Sequence, residues 1–237
     1  MFLLDAPERP KNPYGLTSVA DMQMDRRALD GHVHQSFCGH GTLSFPFDCE
    51  RVWNKEDTAE RTLSEGKVFT TLTMETCGAL GYDGPKATEI TEESRSHALE
   101  QAFVDQFGPT ATQIGTGPFE PKLVMAVATQ YAATVMPGRP ILHMQTALVD
   151  LIGEVDRHGN RLETTSGVLV SAGTGYDDTV WPGTTRIWVT GPVRIVQSLA
   201  YESKLTNQEQ NEITSINETA YSMSVDCFVG YVEVTIA

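Results

Sequence analysis

Two strand-forming segments bracket a charged stretch between residues 33 and 76, and this arrangement limits the chain more than any other feature. Val33 to Phe47 is rich in Phe, Thr and Gly, while Lys67 to Thr76 reads Lys-Val-Phe-Thr-Thr-Leu-Thr-Met-Glu-Thr. β-Branched and aromatic residues at that density favour strands. Between them lies Trp53-Asn-Lys-Glu-Asp-Thr-Ala-Glu-Arg-Thr, which is polar throughout. The pattern predicts a long two-stranded excursion over residues 31–80 with a solvated tip. A lone two-stranded ribbon is only marginally stable in water, so such a projection rests on a partner. The sequence therefore points to assembly before it points to any chemistry.

The rest of the composition agrees with a folded, non-basic chain. Of 237 residues, 40% are hydrophobic and 20% charged, enough apolar material for a core of one large or two small domains. Lys and Arg number 17 against 31 Asp and Glu, a formal charge of −14, which argues against a nucleic-acid reader. No apolar run approaches the ~20 residues that span a bilayer, so no membrane partner is expected. Met1-Phe-Leu-Leu-Asp5 lacks the basic start of a secretory signal, so synthesis in a reducing cytoplasm is expected. Four cysteines are too sparse for a disulfide framework, and free thiols packed as small hydrophobes are the expected state.

Pro7, Pro10 and Pro13 make the first thirty residues read as an extended arm that packs on something else. Thr91-Glu-Glu-Ser is a helix start, with Thr91 as cap and Leu99, Ala102, Phe103 and Phe107 on one face, ended by Gly108-Pro109. Pro121 opens a second helix with an apolar stripe of Leu123, Val124, Val127, Ala128, Tyr131 and Val135. Ile141 to Met144 is a short buried strand, and Thr146 caps a helix through Ile152. Asp156 to Asn160 turns between two extended pieces, and Val168 to Val170 is a strand followed by a loop from Ala172 to Gly183. Arg186 to Leu199 alternates, with Ile187, Val189, Val193, Ile195 and Leu199 on one face and Pro192 marking an edge or a bend. Asn207 to Asn217 is polar and weakly helical. Tyr221 to Ile236 is a final strand whose apolar parity switches near Gly230, where a β-bulge is expected. The fold class is α+β with a local α/β unit.

Three chemical readings fail on spacing. His32, His34, Cys38, His40, Cys49 and Cys77 are zinc-type ligands, but they contain no C-x-x-C pair and a strand would send alternate residues to opposite faces, so no metal site is assigned. Gly115-Thr-Gly117 and Gly173-Thr-Gly175 do not continue as a phosphate loop and are read as turns. Ser171, His143 and Asp150 have the residue types of a nucleophile relay, yet G-x-S-x-G is absent. Asn217-Glu-Thr219 matches a glycosylation acceptor by chance. No catalytic residue, no cofactor and no enzyme activity are expected.

The order of elements resembles that of tailed-phage major capsid proteins of the Hong Kong 97 fold, which encapsulins share. Ile141-Leu-His-Met144, a helix, a Gly-Asn turn and Gly167-Val-Leu-Val170 are similar to a run in actinobacterial phage shell proteins, as is the closing Asn217-Glu-Thr-Ala-Tyr…Val225-Asp-Cys-Phe228. The resemblance implies an N-terminal arm (1–30), an extended β-hairpin loop (31–80) and a spine helix of the peripheral domain (81–119). An axial α/β domain (120–191) and a return to the peripheral sheet (192–237) complete it. It further implies a virion structural protein, the major subunit of an icosahedral shell around phage DNA, assembled in the host bacterial cytoplasm. Its partners would be copies of itself in hexamers and pentamers, with a separate scaffolding protein and a portal, and no specific nucleic-acid recognition. Implied contact residues are Trp53 and Lys55 at the loop tip, Tyr14 in the arm, and Tyr176 and Trp181 at the axial tip lining each ring. Lys55 and Lys67 with Asn207, Asn211 and Asn217 offer the residue types of a covalent cross-link, but no spacing pairs them and none is predicted. Alternatives are another virion component, such as a vertex, decoration or tail protein, or a small cytoplasmic metal-binding enzyme built on the His and Cys cluster.

Overall fold

A computed structural model describes residues 12–37, 61–78, 86–135, 139–153, 155–176, 183–210 and 212–236. The chain enters through β1 (Asp21–Met24), pairs β2 (Val33–Phe37) with β3 (Arg61–Glu65), and continues as β4 (Lys67–Gly78). Helix α1 (Lys86–Phe107) follows, then β5 (Thr112–Gln113), α2 (Pro121–Val135), β6 (Ile141–Gln145) and α3 (Thr146–Ile152). A hairpin of β7 (Val155–His158) and β8 (Arg161–Thr164) leads to β9 (Leu169–Gly173). The closing strands are β10 (Gly183–Thr190), β11 (Val193–Gln197), β12 (Tyr201–Asn207), β13 (Glu212–Val225) and β14 (Val229–Ile236).

Among the described residues these strands form two large sheets and the β2–β3 hairpin. One sheet has seven strands in the order β5-β14-β10-β6-β9-β8-β7. Its central strand β6 is buried at all five positions because both faces are covered. Leu142 and Met144 meet α2 and α3 on one side with Val124, Met125, Ala128, Leu148 and Ile152. Ile141 and Trp188 turn to the opposite side, where α1 presents Leu99, Phe103 and Phe107. The alternation of β10 serves the same two layers, since Ile187 and Val189 join the first core and Trp188 joins the second.

The other sheet orders β1-β11-β13-β12, with β4 also paired to β13. β13 is the axis of this sheet. Over residues 212–223 it pairs with β4 on one side, while β12 and then β11 take the other. Ile195, Tyr221 and Met223 reach the core beneath α1, so this helix bridges the two sheets. At 22 residues α1 is about 33 Å long.

Several expectations change at this level. Thr91 does not cap α1, which starts at Lys86 and buries Thr91 within its length. The α2 stripe is rotated, with Leu123 54% exposed and Met125 buried, because α2 lies over β14 and β10. Arg186 to Leu199 is not one strand. Pro192 marks the bend where the chain leaves the seven-stranded sheet for the five-stranded one, and Leu199 falls outside β11 and is 56% exposed. Asn207 to Asn217 is a strand turn and the start of β13, not a helix. No bulge at Gly230 explains the parity switch. The chain changes sheets at Asp226–Phe228, with Cys227 in the left-handed region at φ 65°, and β14 then pairs with β10 and β5. Consequently residues 192–237 do not return as a unit to one sheet, since β14 ends the chain in the other. Gly230 has a different role, because a Cβ there would sit 2.8 Å from the Ile114 Cδ1 atom.

Candidate assembly surfaces and the buried junction beneath them

The hairpin predicted over residues 31–80 is present at its foot, with a different return strand. Val33↔Glu65 to Phe37↔Arg61 are the paired positions, so β3 starts at the end of the stretch read as polar tip and runs on to Glu65. Lys67 to Thr76, expected to be the returning strand, instead pairs with β13. The tip itself, with Trp53 and Lys55, lies outside the described residues, as does Trp181. At the foot, the His32 ring lies between two hydroxyls, Nδ1 2.7 Å from Ser222 Oγ and Nε2 2.8 Å from Ser224 Oγ. An open depression of about 410 Å³ sits beside it, and its two arginines are engaged, Arg27 with Asp25 at 3.1 Å and Arg194 with Asp21 at 3.0 Å.

Among the described residues, three exposed large apolar side chains fall on β12 and the segment before it. Leu199, Tyr201 and Leu205 are 56, 65 and 58% exposed. Among the described strands β12 is also an edge strand of its sheet. β4, β13 and β12 together make a ribbon over residues 212–216 of β13 whose positions there are only half-buried.

The N-terminal segment does not extend away from its own chain over the described residues. Asn12 Nδ2 donates to the Ala172 carbonyl at 2.8 Å, the Ala172 N–H donates to the Tyr14 carbonyl at 2.7 Å, and β1 pairs in parallel with β11. Tyr14, expected at a contact with a neighbour, is half-buried with the Arg157 guanidinium 5.6 Å over its ring. Tyr176 is a clear correction. It is fully buried, so its side chain lines no ring surface.

Tyr176 belongs to a sealed hydrogen-bond chain that absorbs two members of the supposed relay. The Thr190 hydroxyl donates to the Gly191 carbonyl at 2.8 Å, so it accepts from His143 Nε2–H, also at 2.8 Å. That tautomer, assigned from the network, leaves Nδ1 to accept from the Tyr176 hydroxyl at 3.2 Å, and Ser171 lies 2.7 Å beyond. A neutral imidazole has one donor and one acceptor, and both are used. Full burial pushes the His143 pKa down to about 3 and the Tyr176 pKa well up. Phe103 stacks on the imidazole at 4.7 Å. Asp150 is exposed on α3, and the buried Ser171 has no solvent path, so the three do not assemble into a nucleophile relay.

Glu100 on α1 was not singled out by sequence, and it is 1% exposed. Its Oε1 accepts from the Leu16 N–H at 3.2 Å and the Ser96 hydroxyl at 2.9 Å, and its Oε2 accepts from the Gly175 N–H at 2.9 Å. Gly173 and Gly175 leave room for the carboxylate, since a Cβ on either would run into Glu100. The Gly-Thr-Gly read as a plain turn is thus a cradle for a buried acid. A Gly-Thr-Gly directly before Tyr176 carries no signal that names its acidic partner, which lies over 70 residues away.

Among the described residues no group of three or more His, Cys, Asp or Glu is placed to hold a metal. The expectation of free cysteines is corrected at Cys227, which is disulfide-bonded. No described helix is long and apolar enough to cross a membrane.

No protein-family model matches the chain, and no curated protein matches it in sequence. Solved structures do. The capsid of Ralstonia phage GP4 aligns over 100% of this chain and 95% of its own, with a TM-score of 0.59 at 10% identity. A chain of Mycobacterium phage Ogopogo aligns over 100% and 96%, with a TM-score of 0.59 at 12% identity. The holo-SrpI encapsulin complex from Synechococcus elongatus aligns over 99% and 93%, with a TM-score of 0.61 at 9% identity. The fold is therefore the α+β, Hong Kong 97-like architecture of phage capsids and an encapsulin, shared end to end.

Proposed function

We propose that this chain is a virion structural protein, the major capsid subunit of an icosahedral shell around phage DNA. The observation that carries the proposal is a likeness running over nearly all of both chains, in a fold whose solved examples include the capsids of Ralstonia phage GP4, bacteriophage PhiM1 and Cyanophage P-SCSP1u. The β2–β3 hairpin, the β12 edge with its exposed Tyr201 and Leu205, and the acidic surface support it. The role is non-catalytic. The one His–Tyr–Ser cluster described is sealed in the core, where it orders packing. Copies of the chain form hexamers and pentamers through heterologous contacts that close into rings. A scaffolding protein and a portal are separate chains, assembly takes place in the bacterial cytoplasm, and the virion is the final location. The segment boundaries 1–30, 31–80, 81–119 and 120–191 describe arm, loop, spine and axial regions in this reading. Trp53, Lys55 and Trp181 remain its proposed contact residues.

Electron microscopy of the purified chain at rising concentration is the test. Closed shells or capsomer rings are expected, and a monodisperse monomer under all conditions that assemble related shells would overturn the reading. A shortened variant asks the finer question. Phe37 and Arg61 are paired across the hairpin, so a two-residue turn can replace residues 38–60 and leave β2 and β3 intact. The variant should fold and fail to close shells.

A further inference from the structure

Glu100 is an acid buried where three separate pieces of chain meet: the N-terminal segment through Leu16, α1 through Ser96, and the loop after β9 through Gly175. All three partners are donors, which favours the carboxylate, while its near-complete burial favours the protonated acid. Asn12 and Tyr14 bind β9 beside it, which makes residues 12–18 one docked unit whose inner end closes over the carboxylate. Lifting that unit removes the Leu16 N–H and admits water to Glu100. We propose that the junction is a proton-linked latch, in which the charge on Glu100 sets how tightly the N-terminal segment is held against α1 and the loop after β9.

Among the described residues, the titratable groups facing Glu100 are few. On α1, His97 acts on it through space and bonds Thr174 of the loop at 3.0 Å. From the loop comes Tyr176, whose hydroxyl is engaged by Ser171 and His143 and whose ionisation the Glu100 charge opposes. From the N-terminal segment only peptide groups approach, Tyr14 being the titratable side chain two residues away. Burial raises the Glu100 pKa and outweighs the three hydrogen bonds and His97, which lower it. The sign follows from linkage. The docked state holds the proton more tightly than the lifted state, where water solvates the carboxylate. Docking is therefore firmest in acid and weakens as pH rises through the docked-state pKa.

Hydrogen exchange of the full chain, corrected for the intrinsic pH dependence of exchange, reads this directly as the opening equilibrium of residues 12–20. Protection of the Leu16 N–H is expected to fall with rising pH by up to about tenfold per unit inside the window. Glu100→Gln should abolish the slope. Ser96→Ala, which keeps the buried acid and removes one donor to it, should move the midpoint to higher pH. Should the glutamine variant fail to fold, the serine variant decides. A flat wild-type profile, protection that falls on acidification, a slope retained in Glu100→Gln, or a Ser96→Ala midpoint that is unchanged or lowered would each overturn the latch. A slope that vanishes in His97→Gln with Glu100 intact would assign the proton to His97 and overturn it as well.

Discussion

Along β13, residues 217–224 are buried except for Glu218, whereas residues 212–216 are only half-buried. Both halves are hydrogen-bonded on each side, the first to β4 and β12 and the second to β4, β12 and β11. Pairing is therefore not what separates them. The inner half has α1 packed across it through Tyr221 and Met223, while positions 212–216 of the outer half are only half-buried. Apolar burial contributes about 25 cal/mol per Å² removed from water, so equal pairing yields less stabilisation where burial is partial. The inner half therefore contributes more to the stability of the chain than the outer half.

That contrast predicts a descending series of effects. Phe103→Ala opens the core where α1 meets His143, Tyr176 and Trp188, and should cost ~3–5 kcal/mol in denaturant unfolding. A loss below ~1 kcal/mol would mean that α1 is not the clamp between the sheets. Gly175→Ala drives a methyl into Glu100 and the His97 carbonyl, and should cost ~1–3 kcal/mol. His143 gives a pH signature. Its folded pKa is about 3 against an ordinary 6.5, so the unfolded chain takes up the proton first. Stability should fall by at most ~1.4 kcal/mol per pH unit as pH drops below 6.5, and fall no further on this account below about 3. His143→Gln should remove that slope and leave the opposite one from Glu100. Leu205→Ser, at an exposed position of β12 beside the outer half, should change chain stability by less than ~0.5 kcal/mol and impair particle formation in light scattering. A large loss of chain stability from Leu205→Ser would erase the distinction between the two halves.

The periodic signals in the sequence translate well where burial is local. Leu99, Phe103 and Phe107 mark the inward face of α1, and Pro192 marks a bend. The failures share a cause. Arg186 to Leu199 and Tyr221 to Ile236 each alternate like a single strand, yet each spans a crossing between sheets, because both sheets ask for the same period of two. Leu123 reads as core and Met125 as surface until the neighbours of α2 fix its rotation. Tyr176 reads as an exposed aromatic in a Gly-rich loop, and only the fold shows its hydroxyl held by Ser171 and His143.

Amino-acid order alone settled the α+β class, the strand-rich region around 31–80 and the resemblance to phage shell proteins. These follow from propensity and pattern within short windows. Tertiary structure alone decided that β14 leaves the β13 sheet, that β4 pairs with β13, and that Glu100 meets Leu16 and Gly175. Those are contacts between residues far apart in the chain, and their energies depend on partners that no local window contains.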